Sequence, residues 1–556
     1  MRALPRARRL AIGCLLAAAF AAPAGAQVQF RDLDPLHPVP VEDAFPVARY
    51  AFELLTPYDY VQPTGEAGRN QLDLDLVYGA FLNAQLGLRL PVGFGPGGET
   101  GVAGAGVFGL YNPVREGPHM PALSLRADLF APTGAPAVAG LTAIATRSLG
   151  AARLHANLGA ATGSGAADEL PRWGAGLAFD YTFFRPSLLV VGALSISELD
   201  AGAPTASVIS AGVRWQWSPT MVLEAGAGRG LGDAGPDLRL TLGLSSTFAL
   251  RALVPVRPPS GSPTLHGRSE QFYYPGSFNW QFLRVYPDAA RLFHAFDYGH
   301  AVLYERLTTA PEGDPAWLES EKFAYLTKDL LVNPPRLPIA EEAIFPAYAQ
   351  RYWPAALAFD WAHLLHRQIY DVLSDDRLTP AARDSLVERL TDYYLSRRDV
   401  AFAPVPKSLA LMTGAPYSGA FIRSYPRFNG LIWAYHWLQV GLYEPFMVAQ
   451  PPLARRAGVD SVVARFRAMI PDDFPTAMPM TPMVAPVFAA RHPRAAAIFD
   501  NLHSLHDIIS DILVSELVGP DAKRAAIMAA LEEFRDGTRN VMPDAEWRGM
   551  AAPHQH

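Results

Sequence analysis

The sequence has 556 residues, of which 50% are hydrophobic and 18% are charged, and its formal net charge is −6. A chain of this length usually forms two or more domains, and its acidic balance excludes nucleic acid as an expected partner, since a phosphate-binding surface needs clustered Lys and Arg. No run of about eighteen apolar residues occurs beyond the N-terminus, which excludes a protein built of membrane-spanning helices.

The N-terminus has the pattern of a signal peptide. Several arginines precede an apolar run, and a small-x-small ending at Ala26 follows it, so residues 1–26 are predicted to be removed on export. The only cysteine, Cys14, lies inside this segment, and a lipoprotein anchor is the less favoured interpretation because apolar residues continue beyond it. The mature chain would then have no disulfide, no thiolate metal site and no attached c-type haem.

Alternating side chains dominate residues 45–250. The stretch NQLDLDLVYG puts its leucines on one face and Asp73 and Asp75 on the other, and RWGAGLAFDYTFF sets its aromatic residues against Asp180 and Thr182. This period of two is typical of strands whose two faces meet different surroundings.

Two interpretations of the alternating segments compete, a membrane barrel and a soluble β-domain. The segments are about ten residues long, which suits a tilted membrane crossing better than an ordinary globular strand. Aromatic residues gather near segment ends, for example Trp215 and Trp217, where a bilayer interface favours them. The sequence therefore predicts an antiparallel outer-membrane β-barrel of about 12 strands within residues 27–252.

The barrel segment also resembles a known family. The entry EDAFPVARYAFELLTPYDY (residues 42–60), the following PTGEAGRNQLDLDLVYG and the final strand around Phe248 resemble outer-membrane barrels of the phenol meta-pathway and transporter-like type. The resemblance covers residues 40–250. It implies an outer-membrane location and passage or sensing of small hydrophobic compounds. Such barrels usually end at the last strand, whereas this chain continues.

Beyond the barrel the pattern becomes helical. Residues 253–271 are rich in Pro, Gly and Ser and read as a linker, residues 272–545 as a soluble all-α bundle, and residues 546–556 as a flexible tail. Because an even-stranded barrel begins and ends on the periplasmic side, the bundle is predicted to lie in the periplasm. The predicted helices are 287–308, 315–331, 341–350, 355–374, 380–397, 429–443, 460–469, 493–518 and 521–534.

Phe-Asp-x-x-His occurs three times in the helical part. On a helix, residues three apart lie on one face, so each motif offers a carboxylate and an imidazole together, as helix-bundle metal sites do. The alternative is that each Asp caps a turn and holds its His by a hydrogen bond. The candidate metal ligands on these helices and on the helix around His436 are Asp297, His300, Glu305, Asp360, His363, His366, His436, Asp500, His503, His506 and Asp507.

Carboxylate and imidazole without thiolate favour iron or zinc, and Met478, Met480 and Met483 make copper the second choice. Neither c-type haem nor a nucleotide is expected. The Asp-x-x-His helices are loosely similar to helical dimetal-carboxylate bundles. The His506-Asp507 dipeptide, with further histidines on other helices, is similar to metal-dependent HD phosphohydrolases, although the ligand order of that family does not map onto this sequence.

Three functions remain open from the sequence. The first is an outer-membrane barrel with a periplasmic metal-binding domain, in transport or homeostasis of metal or a small solute. The second is a dinuclear metal-dependent oxygenase, oxidase or hydrolase supplied through the barrel. The third is a structural plug or docking module without metal. Expected partners are outer-membrane lipid, a small solute or metal ion, and a periplasmic protein.

Overall fold

The structure is a computed structural model that describes residues 30–81, 83–95, 100–162, 170–199, 201–250, 252–253, 274–309, 314–338, 341–449, 451–470 and 473–551. Among these, residues up to 277 form one compact unit and residues 278–551 form a second. The predicted signal peptide and almost all of the predicted linker lie outside the described residues.

Twelve antiparallel strands, counted over the described residues, close into a barrel, as the alternation predicts. They are β1 (Ala51–Leu55, continued by Tyr58–Gln62), β2 (Arg69–Phe81), β3 (Ala84–Phe94), β4 (Gly101–Val102, continued by Gly104–Val114), β5 (Ala122–Pro132), β6 (Val138–Leu149), β7 (Ala152–Ala161), β8 (Trp173–Phe183), β9 (Leu188–Glu198), β10 (Ala206–Ser218), β11 (Met221–Gly230) and β12 (Leu238–Ala249). Each strand pairs with the next, and β12 closes the barrel on β1, with Ala249 opposite Ala51.

The barrel is apolar outside and polar inside. On β8, Leu177 and Phe179 are 63% and 50% exposed on the outer face, whereas Asp180 and Thr182 on the lumen face are 0% and 2% exposed. A soluble β-sandwich has the opposite arrangement, with its apolar face buried. An outer surface of this kind fits the hydrocarbon of a bilayer, so the soluble alternative is excluded.

The two ends of the barrel differ in the length of their connections. Residues 150–151 and 219–220 make tight turns at the end where β1 begins and β12 ends. The loops at the opposite end are longer, for example residues 231–237. Short turns on the side of both chain ends are the arrangement of bacterial outer-membrane barrels.

Residues 30–50, here called the lumen segment, lie inside the barrel. We expected the barrel to begin at residue 27, but β1 begins only at Ala51. The segment hydrogen-bonds to the barrel wall, with Arg31 Nε 3.0 Å from Thr182 Oγ1 and the Ala44 N–H 3.0 Å from Thr146 Oγ1. Residues 30–50 do not alternate as a strand does, and these hydrogen bonds hold them to the wall in place of strand pairing.

Glycines let the lumen segment approach the wall closely. A Cβ at Gly212 of β10 would lie 2.7 Å from the Pro38 Cβ, which is closer than side-chain carbons pack. Gly226 of β11 meets the Pro38 carbonyl oxygen in the same way. Both glycines are therefore needed where this backbone passes along the wall.

The second unit is all-helical, as predicted. Its helices are α1 (Gln281–Val285), α2 (Pro287–Thr309), α3 (Pro315–Tyr325, extended by a π-helical turn at Leu326–Leu330), α4 (Glu341–Ile344), α5 (Pro346–Ser374), α6 (Pro380–Leu395), α7 (Ala410–Thr413), α8 (Ala420–Ser424), α9 (Pro426–Gly441), α10 (Glu444–Val448), α11 (Pro452–Met469), α12 (Thr481–Val484), α13 (Pro486–Arg491), α14 (Pro493–Val514), α15 (Pro520–Arg535) and α16 (Asp544–Gly549). Many of them begin at proline, whose missing N–H costs nothing in the first turn. None of the described helices is both long and apolar enough to span a bilayer.

Two boundaries differ from the prediction. The sequence predicts two helices, 341–350 and 355–374, with a break between them. Instead, α5 starts at Pro346 and continues to Ser374, with a kink at Tyr352, two residues before Pro354. The flexible tail does not begin at residue 546. Trp547 in α16 is 1% exposed, and its indole N–H donates to Asp500 at 2.7 Å, so this part of the chain packs on the helical unit.

The helical unit contains two similar halves. FLRVYP at residues 282–287 returns as FIRSYP at 421–426, and FDWAHLLH at 359–366 returns as FDNLHSLH at 499–506. We call residues 280–374 the first repeat and 419–514 the second repeat. The repeated sequences occupy equivalent elements, with α1, α2 and α5 matching α8, α9 and α14.

The hydrogen bonds repeat as well. Asp371 accepts from the two N–H groups that lead into α1, and Asp511 accepts from those that lead into α8, all at 2.8–2.9 Å. Glu305 accepts from N–H groups in the first turn of α5, and Glu444 does so for α13, at 2.9–3.3 Å. Carboxylates at helix N-termini satisfy donors that the helix leaves open. The helical unit is therefore an internal duplication in both sequence and local structure.

Candidate metal centre

Histidines from four helices meet in the core of the helical unit. His300 comes from α2, His436 from α9, and two histidines each come from α5 and α14; all six are at most 3% exposed. The ring centroids of His300 and His506 lie 4.4 Å apart, and those of His436 and His503 lie 4.1 Å apart. The predicted convergence of imidazoles is therefore observed.

Three of these imidazoles form a compact group. His300, His436 and His506 each offer a ring nitrogen, and the three nitrogens lie within 4.8 Å of one another. Among the described residues, neither ring nitrogen of His436 nor Nδ1 of His506 has a hydrogen-bond partner. Burial lowers the pKa of His300 to about 3, so its ring is neutral near pH 7. A buried neutral imidazole with an unpartnered nitrogen is a ready metal ligand.

A carboxylate group lies beside the imidazoles. Asp297, Glu341 and His363 also have potential ligand atoms within 4.8 Å of one another, and His363 Nδ1 is hydrogen-bonded to Glu341. Arg367 donates to Asp297 at 2.9 Å. The His363 ring lies 5.5 Å from the His506 ring, so the two groups adjoin.

The carboxylates of this region are strongly perturbed by burial. Burial raises the pKa of Asp297 to about 6 and that of Glu341 to about 8. It also raises the pKa of Asp360 well above its usual range, with Glu342 and Glu341 adding to the effect. Charged carboxylates in such surroundings need a compensating cation.

Six predicted ligands lie outside both groups, and three of them are carboxylates with other partners. Asp500 accepts from the Thr481 N–H and from the Trp547 indole, each at 2.7 Å. Asp507 accepts from the Trp433 indole at 2.8 Å, and Glu305 caps α5. These carboxylates therefore hold neighbouring elements together.

The Asp and His of one motif do not face one point, contrary to the prediction. Asp297 reaches His363, at 3.7 Å, rather than His300 of its own motif. Residues three apart still differ by about 60° around the helix axis. In a crowded core, that difference sends the two side chains to different neighbouring helices.

Two predicted histidines have protein partners. His366 Nδ1 lies 2.6 Å from the Tyr443 hydroxyl, and His503 Nε2 lies 2.8 Å from Gln439 Oε1. They border the three-imidazole group without belonging to it.

The phenylalanine of the motif has a packing role across the two repeats. Phe359 of the first repeat lies 4.0 Å from the His506 ring, and Phe499 of the second lies 3.8 Å from the His366 ring. Each ring thus fixes the orientation of a histidine from the other repeat. This mutual contact explains why Phe and His recur together.

Glu341, Arg367 and Gln439 were not predicted as part of the site. Glu341 opens the four-residue helix α4, where a helix was predicted, but it belongs to no Asp-x-x-His motif. The FLRVYP and FIRSYP repeat would have identified Gln439, because aligning the two repeats puts it opposite His300.

The barrel lumen holds a cavity of about 880 Å³. Its lining includes Leu36, Pro40 and Glu42 of the lumen segment and residues of the longer loops, such as Thr64 and Asp233. The cavity therefore lies between the lumen segment and the end with the longer loops.

Ion pairs fasten the lumen segment to the barrel wall. Arg126 pairs with Glu42 at 3.1 Å, and Arg153 pairs with Asp43 at 3.0 Å. Each arginine also has a wall partner, Asp128 at 2.9 Å for Arg126 and Asp180 for Arg153. The wall arginines are thus shared between strand and segment.

Asp34, His37 and Glu224 also lie close enough for a cation to bind. Arg214 already bridges them, 2.7 Å from Asp34 and 3.0 Å from Glu224. The guanidinium supplies the positive charge that this group needs, so it is not a metal candidate.

The fold defines a transmembrane β-barrel joined to an all-helical unit. No protein-family model and no curated protein matches the chain. Solved structures similar to it include the COG4313 outer membrane channel from Pseudomonas putida F1, at 18% identity, a TM-score of 0.30 and coverage of 39% of this chain and 100% of that one. The KdgM porin in complex with disordered oligogalacturonate is 9% identical, with a TM-score of 0.27 and coverage of 36% of this chain and 99% of that one. The NanC porin is 7% identical, with a TM-score of 0.27 and coverage of 36% of this chain and 100% of that one. The assignment of the barrel rests on its strands and faces.

Proposed function

We propose that the protein is an outer-membrane barrel with a periplasmic helical domain that binds a transition metal ion, and that it serves transport or homeostasis of metal or a small solute. The observation that supports metal binding is the group of His300, His436 and His506, whose ligand nitrogens lie within 4.8 Å of one another; among the described residues, both ring nitrogens of His436 and Nδ1 of His506 have no hydrogen-bond partner. Three different helices, α2, α9 and α14, supply these rings. Burying them is costly unless something binds their nitrogens.

The donor set favours zinc or iron. Neutral imidazoles bind zinc, iron and copper, and carboxylates beside them shift the preference toward iron and zinc. Copper remains the second choice. Met478 is buried and accepts a weak hydrogen bond from Ser504, and Met483 is 43% exposed. Neither methionine is part of the three-imidazole group.

The periplasmic location of the helical domain is supported by the barrel. The last strand, β12, ends where the tight turns lie, and in bacterial outer-membrane barrels this end faces the periplasm. A chain that leaves the barrel there continues in that compartment.

A metal-dependent enzyme is the second candidate. Asp297 and Glu341 lie beside the imidazole group, and carboxylates next to histidines are the ligands of oxygen-activating and hydrolytic dinuclear centres. In that case the helical domain would act on a solute that the barrel admits.

Metal analysis of the purified full-length protein in detergent tests the proposal. The protein, loaded with Zn²⁺ or Fe²⁺ and dialysed, should retain at least about one ion per chain, since three imidazoles bind such ions tightly. His436→Gln should lower the affinity of the three-imidazole site for Zn²⁺ at least about tenfold, because one of its three ligands is lost.

His294→Gln is the matched control. His294 is a buried imidazole of α2, six residues before His300, and its Nδ1 lies 3.4 Å from the Pro335 carbonyl oxygen. This variant should keep the metal. A folded wild-type protein that retains neither Zn²⁺ nor Fe²⁺ would refute the proposed function.

A further inference from the structure

We propose that Asp297, Glu341 and His363 form a second metal site beside the three-imidazole group, so that the helical domain holds a dinuclear centre. The inference deepens the proposed function and rests on it, because the first ion would sit at the imidazoles. The second site would take a divalent first-row cation that accepts oxygen ligands, such as Mn²⁺ or Fe²⁺.

Geometry is the first support. The two carboxylates and the imidazole converge to within 4.8 Å from three different helices, α2, α4 and α5. Asp297 Oδ1 and His363 Nε2 are buried and have no hydrogen-bond partner among the described residues. Asp297 Oδ1 is therefore available to a cation, while Arg367 holds the other oxygen of Asp297 in place. His363 Nδ1 faces both carboxylates, 3.7 Å from Asp297 Oδ1 and hydrogen-bonded to Glu341, so a cation would replace that hydrogen bond.

Charge is the second support. Asp297, Asp360 and Glu341 are buried together, and one guanidinium, that of Arg367, lies among them, 2.9 Å from Asp297 and 3.8 Å from Asp360. That guanidinium can balance one ionised carboxylate. A divalent cation would stabilise the ionised forms of the other two, which burial otherwise disfavours.

Comparison of the two repeats is the third support. Glu341 opens α4, and Thr481 opens the equivalent helix α12. In the second repeat the Thr481 hydroxyl donates to Asp500 at 2.7 Å, and this local contact needs no carboxylate. The fold therefore accepts a neutral residue at this position. Because the first repeat has Glu there, beside His363, its carboxylate has a role beyond folding.

The two sites differ in ligand character. One has three neutral imidazoles, and the other has two carboxylates and one imidazole. The His363 and His506 rings, one from each group, are 5.5 Å apart. Two ions held by adjoining residues could share a bridging ligand, as in dinuclear carboxylate bundles.

The test is metal stoichiometry in the full-length protein, measured by elemental analysis after loading with Mn²⁺ or Fe²⁺ and dialysis. We expect two ions per chain in the wild type, one in Glu341→Gln and one in His436→Gln. Glu341→Thr, which introduces the residue found in the second repeat, should also retain one ion. Agreement between the two variants would show that the loss in the Gln variant is not caused by misfolding. His294→Gln should retain two.

The outcomes separate the inference from the proposed function. A wild type that holds one ion, which Glu341→Gln and Glu341→Thr also hold, refutes the second site and leaves the imidazole site intact. A wild type that holds no ion refutes both. Anomalous diffraction from the loaded protein should show two peaks in the helical core, and a single peak among the imidazoles would overturn the inference.

Discussion

Replacing residues 30–46 with a glycine-serine sequence of equal length should open the barrel, with single-channel conductance rising at least about tenfold. The lumen segment runs through the interior of a twelve-stranded barrel, whose bore is intermediate between side-chain-filled eight-stranded barrels and open porins. Emptying the lumen should therefore create a continuous aqueous path. Planar-bilayer recording of the purified proteins measures this directly.

The barrel should survive this replacement. Arg126 keeps Asp128, Arg153 keeps Asp180 and Arg214 keeps Glu224, so the wall arginines retain a carboxylate when the segment leaves. The opened pore should also prefer anions, because Glu42, Asp43 and Asp34 no longer neutralise those arginines.

A milder variant and a control show whether the lumen segment is what closes the pore. Glu42→Gln with Asp43→Asn removes two anchors and should give intermittent openings. Asp237→Asn changes an exposed carboxylate of the long loop 231–237 that is not among the residues lining the cavity, and it should leave conductance unchanged. Equal conductance of the wild type and the replaced variant would show that the lumen segment does not close the pore.

The barrel could be predicted because a bilayer inverts the usual faces of a sheet. Leu177 and Asp180 alternate on one strand, and the structure places them outside and inside as that rule requires. The lumen segment could not be predicted. Its contacts, such as that of Arg31 with Thr182, join residues far apart in sequence, and no periodicity marks a chain that lies against a wall.

The sequence identified the buried histidines and Asp297 of the candidate site, but not Glu341. A histidine repeated at helical spacing indicates a buried face, and all six histidines are buried together. The direction in which each aspartate points is set by how the helix is rotated against its neighbours. Asp297 reaches His363, while Asp500 reaches Trp547, although both belong to the same motif.

Asp371→Ala and Asp511→Ala should each destabilise the helical domain by about 3 kcal/mol, and by similar amounts. Each carboxylate accepts two backbone N–H groups at 2.8–2.9 Å, and leaving such buried donors unpaired costs roughly 1–3 kcal/mol apiece. The N–H groups belong to the backbone around Trp280 and Gly419, both with positive φ, where the chain has few other ways to satisfy them.

The measurement is chemical unfolding of the full-length protein in detergent, followed by the helical circular dichroism signal. Asp521→Ala is the matched control, since this exposed carboxylate in the first turn of α15 should contribute only about 0.5 kcal/mol. Equal losses in the two repeats are expected because the duplication preserves the cap together with its acceptor geometry. If one variant lost 3 kcal/mol and the other none, the two repeats would share their sequence pattern without sharing the interaction that holds their helix starts.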